Sequence, residues 1–253
     1  MMEDSSNKNS LFKSTIIVAG LTSVSRVIGL IRDVLISNVL GVSYITDIFI
    51  VALRIPNIFR RITAEGAFSS AFIPMFSKKL TSAKISAIKF SEDILFVSLI
   101  VMILITSLLQ ILMPFIIYFI AYGFTDDPVK FDLAINFSRI TTPYILLISL
   151  SSIGIGILNS IGRYFASSFA PIIFNAVLVF ILLLPINNIT SVGYFMSFGV
   201  TISGIIQFLL VFYFLYKSGY ILNLKKPENL NLINKFSVVA KPQIITGLVM
   251  QAN

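Results

Sequence analysis

The 253-residue chain is 57% hydrophobic and only 12% charged, with a mean hydropathy of +0.95. Soluble domains carry roughly 25% charged residues, so the composition describes an integral membrane protein. The formal charge of +8 does not signal nucleic acid here, since the basic residues gather at the ends of apolar runs. With no cysteine and no histidine there is no disulfide, thiolate metal ligand, cysteine nucleophile or imidazole proton shuttle.

The apolar runs approach the ~20 residues that a helix needs to cross a hydrocarbon core. The alternating segments of about ten residues expected of a transmembrane barrel do not occur. The fold class is therefore all-α: a six-helix transmembrane bundle followed by the start of a seventh helix. Residues 1–10 are polar and are expected to form a disordered cytoplasmic tail. Residues 11–216 make the six-helix lobe, with spans near 11–39, 45–62, 92–120, 140–158, 169–184 and 192–216. The first is too long for a signal-peptide core and lacks a cleavage site. LGVSY around Gly41 predicts a turn, and the lysine-rich stretch from Thr63 to Phe90 predicts short interfacial helices. AYGFTDDPVKFDLAINFSR reads as a polar connector, and PINNITS as a turn. Residues 217–241 form a basic cytoplasmic linker, and 242–253 begin a seventh span.

Of the nineteen lysines and arginines, only Lys130 and Arg139 fall at one set of span ends, and Arg26, Arg32 and Arg54 lie within spans. All the others fall at the opposite ends. By the positive-inside rule the N-terminus and the 217–241 segment are cytoplasmic.

Charges inside the spans carry the functional signal. In SRVIGLIRD, Arg26 and Arg32 lie about 9 Å apart along a helix and about 120° apart around it. Seven-residue spacing puts Ser25 with Arg32, Arg26 with Asp33, and Asp47 with Arg54 on shared faces. Arg61 and Glu65 are spaced for pairing on a continuous helix. One reading is structural, with Arg26 paired to Asp33 or Asp47 to Arg32, fixing helix register. The other is a wet cationic cavity, since Arg26, Arg32 and Arg54 outnumber Asp33 and Asp47, and Arg60 and Arg61 add charge at its mouth. Intramembrane charge is costly unless water or a counter-ion meets it, which favours the cavity. Arginine's planar fork matches phosphate and carboxylate oxygens. Gly29, between the two arginines, suits close helix packing.

These residues carry a family resemblance. SRVIGLIRD, TDIFIVALRIPNIFRRITAEGAFSSAFIPMF from Thr46, TTPYILLISLSS from Thr141 and GILNSIGRYFASSFAPIIFN from Gly156 resemble the MurJ (MviN) family of lipid II flippases. The family's superfamily exports drugs, oligosaccharidyl-lipids and polysaccharides. The resemblance implies the first lobe of a MATE-like transporter whose two lobes form a V around a cationic cavity. It implies movement of undecaprenyl-pyrophosphoryl disaccharide-pentapeptide (lipid II) between leaflets of the bacterial inner membrane. On this reading Arg26, Arg32 and Arg60 are the cavity arginines, and Ser25, Asp47, Asn57, Arg54, Arg61 and Glu65 are accompanying substrate-binding positions. Asp47 and Glu65 would pair with or gate the arginines. Related members often carry proline where this chain has Ser167, so a less rigid start to the fifth span is expected. The second lobe is absent from the sequence, which implies a fragment, a split-gene product or a partner chain supplying it.

Alternatives from other classes are weaker. A drug exporter of the superfamily is expected to have an acidic cavity, and another lipid-linked glycan would fit the same arginines. A polyprenyl-phosphate enzyme would need an acidic metal site. The only acidic cluster outside the spans, Asp126, Asp127 and Asp132, lacks DDxxD spacing and reads as a solvated loop. No catalytic motif is present, so the sequence predicts a non-enzyme without metal or cofactor. An inactive remnant or helper subunit is the remaining alternative.

Overall fold

The computed structural model describes residues 2–61, 67–227 and 236–238. All regular elements among them are helices: α1 (Met2–Val39), α2 (Tyr44–Arg60), α3 (Ala67–Ser82), α4 (Lys84–Ile120), α5 (Pro128–Thr141), α6 (Pro143–Ser160), α7 (Phe165–Leu182) and α8 (Ile189–Lys217), with a 3-10 turn at Tyr122–Phe124.

Among the described residues, five stretches are long and apolar enough to cross a membrane: Thr15–Val39, Lys84–Ile120, Pro128–Ser160, Phe165–Leu182 and Ile189–Lys217. The second expected span, near 45–62, is α2, which has 17 residues. That makes it about 25 Å long, short of a hydrocarbon core of about 30 Å. The expected six spans are thus five by length.

The predicted turn after α1 is present. Gly41 takes φ +61, a left-handed value that glycine reaches without penalty. Thr46 Oγ1 donates to the Gly41 carbonyl at 2.9 Å, and Ser43 caps α2 by accepting from Thr46 N. Three other expectations are corrected. The tail expected to be disordered is helical from Met2; once the apolar span has nucleated a helix, each added residue costs only propagation. The polar connector after α4 contains α5, whose start is written in Asp127-Pro128: Asp127 Oδ1 accepts from Val129 N and Lys130 N, and proline occupies the first turn. The presumed interfacial stretch contains α3, which packs inside the bundle. Its Phe68, Phe72 and Phe76 stack in sequence at 5.5 and 5.7 Å, and Phe72 and Phe76 are fully buried.

The interior comprises two apolar clusters. One joins α2, α5, the C-terminal part of α4 and the N-terminal halves of α6 and α8 around Ile45, Phe49, Phe137 and Tyr144. The other joins α3, the N-terminal part of α4 and the far halves of α6 and α8 around Phe72, Phe90, Ile153 and Val211. The basic segment after α8 folds back onto this second cluster. Tyr220 and Phe236 are buried there, and Glu92 accepts hydrogen bonds from Asn223 N and Nδ2 at 2.7 and 3.1 Å. Burial pushes the Tyr220 phenol above its ordinary value. The expected seventh span, 242–253, and Glu65 lie outside the described residues.

Proline has no N–H, so a proline inside a helix leaves the carbonyl four residues earlier without its helical donor. Two such carbonyls, and a third left free by the proline that opens α6 directly after α5, are met by neighbouring side chains. Pro56 frees the Ala52 carbonyl, and buried Thr141 Oγ1 lies 3.1 Å from it, sharing its proton with the Ser138 carbonyl. Pro114 frees the Gln110 carbonyl, which accepts from Arg139 Nε at 3.2 Å. Pro143 frees the Arg139 carbonyl, to which Gln110 Nε2 donates at 2.8 Å. Gln110 and Arg139 therefore complete each other's backbone across α4 and α5. Unpaired backbone groups are expensive in lipid, so these bonds make the proline breaks tolerable.

α1 stands apart. Its principal packing partner is α7, and Val24, Val27, Leu30, Ile31 and Val34 are all exposed.

Candidate functional site

A cavity of about 470 Å³ opens where α1 and the C-terminal half of α2 face α6, α7 and α8. Helical spacing assembles it. On α1, Ser25, Gly29 and Arg32 form one stripe at four- and three-residue steps, with Arg26 beside it. On α2, Leu53, Asn57 and Arg60 repeat that spacing, and Arg61 joins them at the end of the helix. The opposite wall is Tyr144, Ile148 and Ile155 from α6 and Gln207 from α8. The α7 face supplies Ser167, Pro171, Phe174 and Asn175.

Six of the nine sequence-predicted residues therefore meet in one place: Ser25, Arg26, Arg32, Asn57, Arg60 and Arg61. Four are arginines, and among the described residues no carboxylate lines the cavity. Arg54 does not join them. It follows Leu53, which does line the cavity, so it projects about 100° away around the helix. Asp47 is also elsewhere. Its Oδ2 lies 3.4 Å from Lys130 Nζ at the start of α5, with the Asp47 side chain 60% exposed. The anticipated pairings of Arg26 with Asp33 and of Asp47 with Arg32 are replaced by other contacts.

Arg32 is held from several sides. Its Nε and Nη2 donate to Asp33 Oδ1 at 2.9 and 2.7 Å, and its Nη1 donates to Asn175 Oδ1 at 2.7 Å. Its guanidinium also lies 6.0 Å from the Phe174 ring centroid. Asn175 turns its Nδ2 to the Ser25 carbonyl at 3.3 Å. One amide on α7 thus bridges two points of α1, seven residues apart, and fixes the direction of the guanidinium. Gly29 sits between them: a Cβ there would lie 3.4 Å from Asn175 Nδ2, ordinary contact rather than a clash. Among the described residues, Arg26 and Arg61 have no ion-pair partner and remain available to an anion.

Ser167, where proline was expected from the resemblance, lies with its Oγ 2.8 Å from the Tyr164 carbonyl and 3.0 Å from Asn159 Oδ1. These contacts tie the first turn of α7 to the end of α6. Sequence reasoning did not single out Asn175, Tyr144 or Gln207 as site residues. Asn175 closes a motif that carried the resemblance, and Gln207 is a lone amide in an apolar helix; that was the only signal available. Gly204, one turn before Gln207, has no room for a side chain, because a Cβ would come 2.7 Å from Tyr144 Cδ2. The close approach of α6 and α8 brings Gln207 to the cavity wall. Chemically, the arrangement sets several planar guanidinium forks on two helices opposite an apolar wall carrying one amide, a lining suited to an anion. Among the described residues there is no cluster suited to a metal ion.

The family model that matches, over residues 36–253, is described as lipid II flippase MurJ. The probable lipid II flippase MurJ of Rhizobium meliloti (strain 1021) is 37% identical over 249 residues, 96% of this chain and 46% of that protein. Its counterpart in Rickettsia prowazekii (strain Madrid E) is 36% identical over 243 residues, again 96% of this chain and 48% of the relative. The chain thus spans about half the length of these curated relatives. A solved lipid II flippase MurJ in an inward closed conformation superposes with a TM-score of 0.77 at 26% identity, covering 93% of this chain and 48% of that one. An outward-facing MATE family multidrug resistance transporter gives a TM-score of 0.71 at 15% identity, covering 96% of this chain and 53% of its own, a likeness of fold alone.

Proposed function

The chain belongs to the lipid II flippase MurJ family, and from that premise we propose that it forms one lobe of a transporter carrying lipid II from the inner to the outer leaflet of the bacterial inner membrane. The observation that carries the proposal is the cavity itself, with Arg26, Arg32, Arg60 and Arg61 in its lining and no carboxylate among the described lining residues. A drug exporter selecting cations would need the opposite polarity. Pyrophosphate and peptide carboxylates supply the anion that such a lining requires, and arginine meets their oxygens two at a time. The cargo's polyprenyl tail stays in lipid while its headgroup passes through the cavity. An inside-negative potential favours outward movement of an anion by about 2.3 kcal/mol per charge per 100 mV, which adds to the driving force for such a cargo.

In this reading the N-terminus is cytoplasmic, and α2 and α3 together provide the sixth crossing that α2 is too short to make alone. The reading calls for a second lobe, on the same polypeptide or a partner chain, because alternating access needs two bundles rocking about a shared site. A second reading, export of another anionic lipid-linked glycan, is compatible with the same arginines. The test is translocation of labelled lipid II in proteoliposomes containing both lobes. Arg26→Ala and Arg32→Ala each abolish movement while membrane insertion persists, and Arg32→Lys restores it only in part. Normal translocation by both alanine variants would refute the proposal.

A further inference from the structure

A second cavity, of about 310 Å³, opens at the end of the bundle where α6 stops, α7 starts and α8 stops. The two helix ends are built alike. Gly162 (φ +75) and Gly219 (φ +74) take the left-handed turn after α6 and α8. Arg163 N then donates to the Leu158 carbonyl at 2.8 Å, and Tyr220 N to the Leu215 carbonyl at 3.1 Å, the closing bond of a Schellman cap. The first cap sets Arg163 beside the end of α8, where its Nη1 donates to Ser218 Oγ at 2.7 Å. Arg163 and Lys217 both line the cavity, together with apolar residues that include Ile17, Leu158, Phe165 and Phe214. No carboxylate is among the described lining residues, and among the described residues neither cation has an ion-pair partner.

Positive charge at a helix C-terminus has a local use, since it offsets the partial negative charge of the last carbonyls. That use does not call for an open apolar groove beside it. Lys217 ends one membrane-crossing stretch, and Arg163 falls between Ser160 and Phe165, the ends of two others. Both cations therefore lie at the level of lipid headgroups, while Ile17, Leu158 and Phe214 belong to the apolar stretches themselves. We propose that this groove holds one anionic phospholipid, with an acyl chain against the apolar wall and the phosphodiester on Arg163 and Lys217. Arginine takes two phosphate oxygens at once, and lysine adds a point charge. Basic pockets between transmembrane helices bind acidic headgroups in the same way. A zwitterionic headgroup fits worse, because its ammonium would meet two cations and no carboxylate. The groove shares no lining residue with the arginine cavity, so the assignment does not depend on which cargo that cavity carries. Through Ile17, a lipid seated there would join α1 to the ends of α6 and α8.

The test uses the protein purified from its own membrane, with any accompanying subunit, and delipidated in neutral detergent. Phosphatidylglycerol, phosphatidylcholine and the chain-free headgroup glycerophosphoglycerol are titrated separately, and bound molecules are counted by native mass spectrometry. The expected result is one tightly retained phosphatidylglycerol, with weaker binding of the other two. Arg163→Gln/Lys217→Gln should hold it about thirtyfold more weakly, roughly fivefold for each cation at an acidic headgroup. Lys225→Gln/Lys226→Gln removes the same charge from the exposed chain after α8 and should bind as wild type does. Should the first double variant fail to fold, Lys217→Gln alone keeps the Arg163–Ser218 bond and should bind about fivefold more weakly. Equal affinity for the two phospholipids, or glycerophosphoglycerol binding as tightly as the whole lipid, would overturn the assignment. So would full retention without Arg163 and Lys217, or an equal loss without Lys225 and Lys226. Lipid II is absent throughout, so failure of the flippase reading would leave this result standing.

Discussion

Replacing Asn175 with leucine tests whether the direction of Arg32, and not merely its charge, makes the cavity an anion receptor. Asn175 is 9% exposed and accepts from Arg32 Nη1 at 2.7 Å while holding the Ser25 carbonyl at 3.3 Å. A hydrogen bond to a charged group contributes about 1.5–3 kcal/mol. The lower end applies here, because the Arg32 side chain is 23% exposed and keeps two bonds to Asp33. About 1.5 kcal/mol corresponds to roughly a tenfold loss of anion affinity if the guanidinium swings out of place. Binding of lipid II to nanodisc-embedded protein, measured alongside thermal unfolding, reads both consequences. Asn175→Asp sharpens the experiment. It preserves an acceptor for Arg32, so the α1–α7 contact persists, but a second carboxylate then competes with the cargo. The affinity of Asn175→Asp should fall at least as far as that of Asn175→Leu. Wild-type affinity in both variants would show that Arg32 takes no part in binding the anion.

Two further outcomes follow from the contacts. Thr141→Val strips the Ala52 carbonyl of its side-chain donor and should cost about 1 kcal/mol, in the range of interhelical hydrogen bonds in membranes. Adding Pro56→Ala restores a backbone N–H to that carbonyl, so the double variant should recover the loss in a denaturation cycle; additive losses would contradict the argument. Asp47→Ala removes an exposed ion pair to Lys130 and should change stability by no more than about 1 kcal/mol. It should leave lipid II affinity untouched, and a tenfold fall would return Asp47 to the site.

The sequence revealed what depends on composition and helical phase. Hydropathy located the long helices, and the spacing of Arg26, Arg32, Asn57 and Arg60 brought them to one cavity because each helix presents a single stripe to its neighbours. Partnerships that join distant segments were not legible. Asp47 found Lys130, 83 positions away, because a segment that reads as a polar connector is a capped helix. Phe72 and Phe76 are buried although lysines follow them, since the α3 face toward α6 is decided by packing rather than by average polarity. The positions of Asn175 and Gln207 in the cavity lining were hidden for a related reason. A single amide in an apolar helix has the same appearance whether it faces another helix, lipid or a cavity.

The isolation of α1 has a mechanical consequence. Arg26 and Arg32 are mounted on the helix with the fewest attachments to the two apolar clusters, anchored chiefly along α7. By contrast, the neighbouring α4 and α5 are clasped together through Gln110 and Arg139. Any tilt of α1 therefore carries two guanidinium groups with it, while the amide on α8 stays with the packed bundle. An anion bound by these guanidinium groups would therefore load the helix least attached to the rest of the lobe.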